Sequence, residues 1–114
     1  MTRDCLFCEM AGGQRVADKL YEDDKLFAVR DIHPRAPVHF MVIPKEHIPT
    51  VTGLSADHGS LLIDMFKTAH WVAQRQGIAE EGYRLAINYG EIAGMTISHL
   101  HLHVLGGRHL GPEG

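Results

Sequence analysis

The stretch that decides the reading is Ser98-His99-Leu100-His101-Leu102-His103-Val104-Leu105-Gly106-Gly107-Arg108. Side chains alternate across a β-strand, so this run predicts a strand over residues 99–105 with His99, His101 and His103 on one face. Leu100, Leu102 and Val104 then occupy the other face, the one that packs into a core. Two residues per step place the imidazoles about 7 Å apart along the strand. Three chemistries suit such a face: a half-exposed strand whose polar positions happen to be His, a three-His catalytic zinc site, or a phosphoryl-handling site in which one imidazole attacks phosphorus. Ligands on one straight strand converge poorly on a single ion, which weighs against the second.

The surroundings favour the third. Asn88-Tyr89-Gly90 and Gly94-Met95-Thr96 are small and polar, and glycines let backbone N–H groups approach an anion closely. Thr96 adds a hydroxyl just upstream of the His run. Neither G-x-x-x-x-G-K-[ST] nor G-x-G-x-x-G occurs, so P-loop and dinucleotide-binding readings are excluded.

Working outward, residues 55–76 carry the one long helix. Ser55 suits its N-cap and Gly77 its C′ position, and Leu61, Leu62, Met65, Phe66, Ala69, Val72 and Ala73 recur at helical spacing. Residues 19–22 and 26–31 flank an Asp23-Asp24-Lys25 turn, residues 38–43 form a third strand ended by Pro44, and residues 84–88 a fourth. Residues 5–10 read as a short N-terminal helical turn. The order β-β-β-α-β-β describes an α+β domain, an antiparallel sheet with the long helix on one face.

Length and composition are consistent with one domain over residues 1–114. A chain of 114 residues buries roughly two thirds of its unfolded surface. Its 45% hydrophobic and 22% charged content is that of a globular protein. Eleven basic against fourteen acidic residues give a net charge of −3, which argues against nucleic acid or an anionic membrane as partner. No apolar run approaches a transmembrane length and no signal-peptide pattern opens the chain, so the expectation is a cytoplasmic protein.

Cys5 and Cys8 form a C-x-x-C. Two cysteines make no disulfide scaffold, and the βαβ context of a redox pair is missing. Half of a metal site remains, its other half to come from histidines, alongside the plainer reading of two unconnected thiols.

His99-Leu-His101-Leu-His103-Val104-Leu105 resembles the His-φ-His-φ-His-φ-φ signature of the histidine triad (HIT) superfamily. Gly106-Gly107-Arg108 looks like its Hint branch, the nucleoside phosphoramidases. Leu20-Tyr-Glu-Asp-Asp24, Arg30-Asp31-Ile32, Pro34-Arg-Ala-Pro37, His39-Phe40, Ile43-Pro44-Lys45 and Gly82-Tyr-Arg-Leu85 are similar to Hint segments in the same order. The resemblance implies the HIT fold: a five-stranded antiparallel sheet, one long helix and a short N-terminal helix, with two sheets joined edge to edge in a homodimer.

It also implies roles. His101 matches the nucleophile that forms a nucleotidyl-histidine from an adenosine 5′-phosphoramidate, from which water releases AMP. His103 matches a phosphate contact, and His39 a histidine that supports the nucleophile. Thr96, standing where the family has Ser, contacts phosphate or the departing amine; Asn88, Gly94 and Met95 lie at further phosphate contacts. Asp31 matches the carboxylate that holds the ribose hydroxyls, and Phe7, Met10, Val29, Ile32 and Met41 match the walls of the purine slot. Some HIT proteins hold a structural zinc at positions that correspond here to Cys5, Cys8, His47 and His99, with no metal in the chemistry itself. Met95 departs from the family's usual Gln, which puts the leaving-group preference in doubt. The neighbouring readings are a dinucleoside-polyphosphate hydrolase or nucleotidyl transferase, and a nucleotide-binding interaction module.

Overall fold

The computed structural model describes residues 5–114. Its elements run α1 (Leu6–Ala11), β1 (Lys19–Glu22), β2 (Leu26–Arg30), β3 (Val38–Pro44), two 3₁₀ turns (Val51–Gly53 and Ala56–His58), α2 (Gly59–Arg75), β4 (Tyr83–Ala86) and β5 (Leu102–Gly106). All strands pair antiparallel in the order β1-β2-β3-β5-β4. The α+β architecture and its element order match the expectation from sequence.

One alternation organises the interior. Leu26 and Ala28 of β2, Phe40 and Val42 of β3, and Leu100, Leu102 and Val104 at the last strand pack with Met65, Ala69, Val72 and Ala73 of α2. Phe27 and Val29 of β2, with Met41 and Ile43 of β3, form a second cluster with Cys5 and Phe7 on the other side. Even-numbered residues of these strands therefore face the long helix and odd-numbered ones face α1, as a period of two requires. His39, His101 and His103 share the odd parity.

Several boundaries differ from the sequence reading. The long helix begins at Gly59 rather than Ser55, because Ser55 caps a separate 3₁₀ turn: its backbone N–H donates to His58 Nδ1 at 3.0 Å. Pro44 is the last residue of β3 and pairs with Leu26, occupying a strand end where its missing N–H is tolerated. Phe66 does not face the core as its spacing suggested; it is 44% exposed beside Ile63 at 57%. The fourth strand ends at Ala86 and β5 starts only at Leu102. His99 and His101 thus precede the strand on an extended lead-in, where Leu100 donates its N–H to Ile48 O at 2.6 Å, beyond the end of β3.

Gly106, the last residue of β5, and Gly107 just after it have steric reasons. A Cβ on Gly106 would stand 2.9 Å from Ile78 Cδ1, and one on Gly107 would stand 2.9 Å from Pro37 Cβ. Gly107 also has φ +97°, a conformation that side chains resist.

Candidate active site and metal centre

His101 lies on the lead-in to β5 and is 7% exposed. Its Nδ1 stands 2.7 Å from His99 O. A carbonyl oxygen only accepts, so Nδ1 carries the ring proton and Nε2 keeps its lone pair. Burial holds the His101 pKa below the ordinary imidazole value, and the free base is the resting form. The ring is neutral and held in one orientation, with the Nε2 lone pair available.

His103 and His39 form the second part. The ring of His103 lies 4.9 Å from that of His101, closer than the spacing along an ideal strand. His39 Nε2 lies 2.9 Å from His103 Nδ1. The Arg35 backbone N–H donates to His39 Nδ1 at 3.1 Å, so that nitrogen is bare and the neutral ring's proton sits on Nε2. His39 therefore donates to His103 Nδ1, and His103 carries its own proton on Nε2. Desolvation lowers the pKa of both rings. For His103 it acts with the charges of His101, His39 and Arg35 and brings the value to about 4. Asp31 Oδ2 lies 3.3 Å from His39 Nε2 and 4.0 Å from His103 Nδ1. With both imidazoles neutral, these are contacts of a carboxylate with dipoles rather than ion pairs. The other carboxylate oxygen accepts from the His33 N–H at 2.8 Å.

The remaining sequence candidates fall on two sides. Phe7, Val29 and Met41 are buried in one cluster with Met10 packed against it, under the odd face of the sheet. Ile32 stands apart from that cluster and is 82% exposed. In the connection from β4 to β5, the Met95 N–H donates to Gly90 O, and the Asn88 amide lies 3.7 Å from where a Cβ on Gly94 would be. Thr96 lines a surface depression with Cys5, Leu6 and His47. His39, given as a support of the nucleophile, meets His103 rather than His101.

Sequence reasoning missed three backbone partners. The Arg35 N–H sets the His39 tautomer, Pro44 O accepts from His99 Nε2 at 2.7 Å, and Arg108 donates to Arg35 O at 2.8 Å. Only the Pro34-Arg-Ala-Pro37 run hinted at the first, by forcing the chain into a fixed loop.

Cys5, Cys8, His47 and His99 come together as a second centre. Cys8 Sγ to His47 Nδ1 is 3.1 Å, His47 Nδ1 to His99 Nδ1 is 3.2 Å, and His99 Nδ1 lies 3.4 and 3.5 Å from the two sulfurs. All four atoms lie within 4.8 Å of one another. Ligand atoms around tetrahedral zinc stand about 3.3–3.8 Å apart, from bond lengths near 2.0 and 2.3 Å. The second shell agrees: His99 Nε2 gives its proton to Pro44 O, so Nδ1 turns its lone pair toward the sulfurs. These residues fit a metal ion.

Asp31, His39 and His103 bring three donor atoms equally close, yet they do not fit. The atom a metal would need on His39, Nε2, is the one the Arg35 N–H forces to keep its proton. That cluster is a proton-bonded chain.

Residues 13–110 match the HIT domain family model. The chain belongs to the HIT family. It is 42% identical over 112 residues to the purine nucleoside phosphoramidase of Escherichia coli (strain K12), spanning 98% of this chain and 94% of that protein. Among solved structures, a HIT family hydrolase from Legionella pneumophila Philadelphia 1 superposes with a TM-score of 0.94 at 42% identity, covering 97% of this chain and all of that one. A Zn-bound histidine triad family protein from Mycobacterium smegmatis superposes with a TM-score of 0.78 at 30% identity, over 92% of this chain and 76% of that one. The five-stranded antiparallel sheet with one long helix and a short N-terminal helix is the α+β HIT fold. No helix of the described residues is long and apolar enough to cross a membrane.

Proposed function

We propose that this HIT-family hydrolase cleaves the P–N bond of purine nucleoside 5′-phosphoramidates and releases AMP. The observation that carries the reading is the His101 tautomer: its proton is held by the His99 carbonyl, and Nε2 is left free to attack. The identity to a purine nucleoside phosphoramidase supports the substrate class.

In the first step His101 Nε2 bonds to phosphorus, the P–N bond of the substrate breaks, and the amine takes up one proton as it departs. The ring becomes a nucleotidyl-imidazolium whose Nδ1–H remains on the His99 carbonyl. Water then attacks phosphorus, the P–Nε2 bond breaks, AMP leaves and one proton returns to solvent. His103, protonated on Nε2 and held by His39, donates to a phosphate oxygen. Preorganised donors of this kind contribute roughly 2.7–4 kcal/mol each in the transition state. Thr96, Asn88 and the backbone at Gly94 and Met95 are assigned further contacts to phosphate and the amine. Asp31 is assigned the ribose hydroxyls; Phe7, Met10, Val29, Ile32 and Met41 the purine.

The same reading assigns zinc to Cys5, Cys8, His47 and His99, as a tie between α1 and the sheet with no part in bond-breaking. It describes residues 1–114 as one domain that forms a homodimer. Exposed Ile63 and Phe66 on α2, and Leu85 on the edge strand β4, supply an apolar surface for a second copy.

A steady-state assay with a fluorogenic adenosine 5′-phosphoramidate and with diadenosine polyphosphate, on wild type and His101→Ala, tests the reaction. Phosphoramidate turnover lost in the variant is expected. Preference for the polyphosphate would make the chain a dinucleoside-polyphosphate hydrolase. AMP binding without turnover of either would make it a nucleotide-binding module.

A further inference from the structure

The two centres share parts. Helix α1 has only six residues, too few to hold its shape unaided. Cys5 is its N-cap, with Sγ 3.4 Å from the Cys8 N–H, and Cys8 lies within its first turn. Both sulfurs meet His99 Nδ1, so the metal-ligand cluster joins the apolar packing of Phe7 in fastening this helix to the sheet. Between the two cysteines stands Phe7, 2% exposed. Its ring lies edge-on to His99 at 5.8 Å and to His101 at 5.0 Å. The same ring belongs to the apolar cluster of Val29 and Met41 that the nucleotide reading assigns to the purine.

A second link runs through the backbone. His99 turns its Nδ1 to the sulfurs while its own carbonyl accepts the His101 Nδ1 proton. The neighbouring Leu100 N–H binds Ile48 O, next to the ligand His47. Whatever fixes His47 and His99 therefore fixes the peptide that orients the nucleophile.

We infer that metal at Cys5, Cys8, His47 and His99 and nucleotide at the His101 site bind with positive coupling, transmitted by helix α1 through Phe7 and by the His99 peptide. The inference rests on the nucleotide reading above but not on the reaction assigned there. A metal ion orders α1 and completes one wall of the nucleotide slot. A nucleotide seated against Phe7 holds the helix, and with it both sulfurs, on the sheet. Linkage makes the two effects equal in size.

The test is equilibrium binding in both directions. AMP is titrated calorimetrically into zinc-loaded protein and into protein stripped by a chelator, with circular dichroism on each. Zinc is then competed from the loaded protein by a chromophoric chelator, with and without saturating AMP. AMP is expected to bind roughly 5- to 50-fold more tightly to the loaded form, and to tighten zinc by the same factor. Phe7→Leu keeps all four ligands and removes the helix route; in it, saturating AMP is expected to change zinc affinity by a clearly smaller factor than in wild type, the remainder being carried by the His99 peptide. Equal AMP affinity in folded loaded and stripped protein overturns the coupling, as does full coupling in Phe7→Leu. Where stripping unfolds the chain, the competition on loaded protein decides, and zinc affinity indifferent to AMP overturns the proposal. AMP bound by neither form overturns this inference and the nucleotide reading together. Coupling without phosphoramidate turnover leaves the inference standing and removes only the reaction.

Discussion

His39 Nε2 and His103 Nδ1 stand 2.9 Å apart although 64 residues separate them in the chain. The two rings sit diagonally on neighbouring strands, since His39 pairs with Leu105 and Met41 with His103. The Arg35 N–H behind His39 gives this bond a direction, from His39 to His103. Removing the donor leaves a buried nitrogen of His103 unpartnered, at a cost of about 1–3 kcal/mol. His39→Ala is therefore expected to lower kcat/KM on the phosphoramidate roughly 5- to 150-fold, with the fold intact by circular dichroism.

The lowered pKa values set a pH dependence with a definite sign. His103 titrates near 4 in the folded chain against 6.5 as the ordinary value, so the unfolded chain binds more protons between these limits. Its contribution is complete above pH 6.5 and is lost as pH falls through the folded value near 4. The loss is on the order of 3 kcal/mol. Denaturant titrations at pH 7.5, 5.5 and 4 are expected to give steadily falling stability. With burial also holding His101 below its ordinary value, the acid limb of kcat/KM is expected to have its midpoint below pH 6.5.

Glycine positions separate steric need from helix propensity. Gly107→Ala meets Pro37 at 2.9 Å and forces a side chain onto φ +97°, and is expected to cost about 1–3 kcal/mol. Gly59→Ala stands in open space at the start of α2 with φ −55° and should gain about 0.4–1 kcal/mol. Thermal melts of the two variants should move in opposite directions.

Phe66→Glu places a charge on the exposed apolar strip of α2 without touching Met65 or Ala69 in the core. Light scattering is expected to show wild type as a dimer and the variant as a folded monomer. A dimeric variant would direct attention to the β4 edge alone.

Much of this was legible in the sequence, because period two and period 3.6 are local rules. The alternation of His99 to Leu105 announced its two faces, and the C-x-x-C announced ligands in search of partners. What local rules do not carry is where backbone partners come from. Leu100 bonds to Ile48 rather than continuing the ladder, which is why β5 starts after His101. The tautomers of His39 and His99 depend on the Arg35 N–H and the Pro44 carbonyl, which have no side-chain signature. Ser55 carries the chemistry of a helix cap, and only the competing bond to His58 shows that it caps a shorter turn. Phe66 has the spacing of a core residue, yet an apolar stripe wider than its own core buries only part of itself.

The odd-even division of the last strand has a consequence for folding fidelity. A slip of one residue in its pairing would drive His101 and His103 into the closely packed apolar layer beneath α2 and expel Leu102 and Val104 into the opposite layer. Each of these buried imidazoles thus doubles as a proofreading mark. The strand rejects its misaligned registers because these polar rings are costly in the apolar layer.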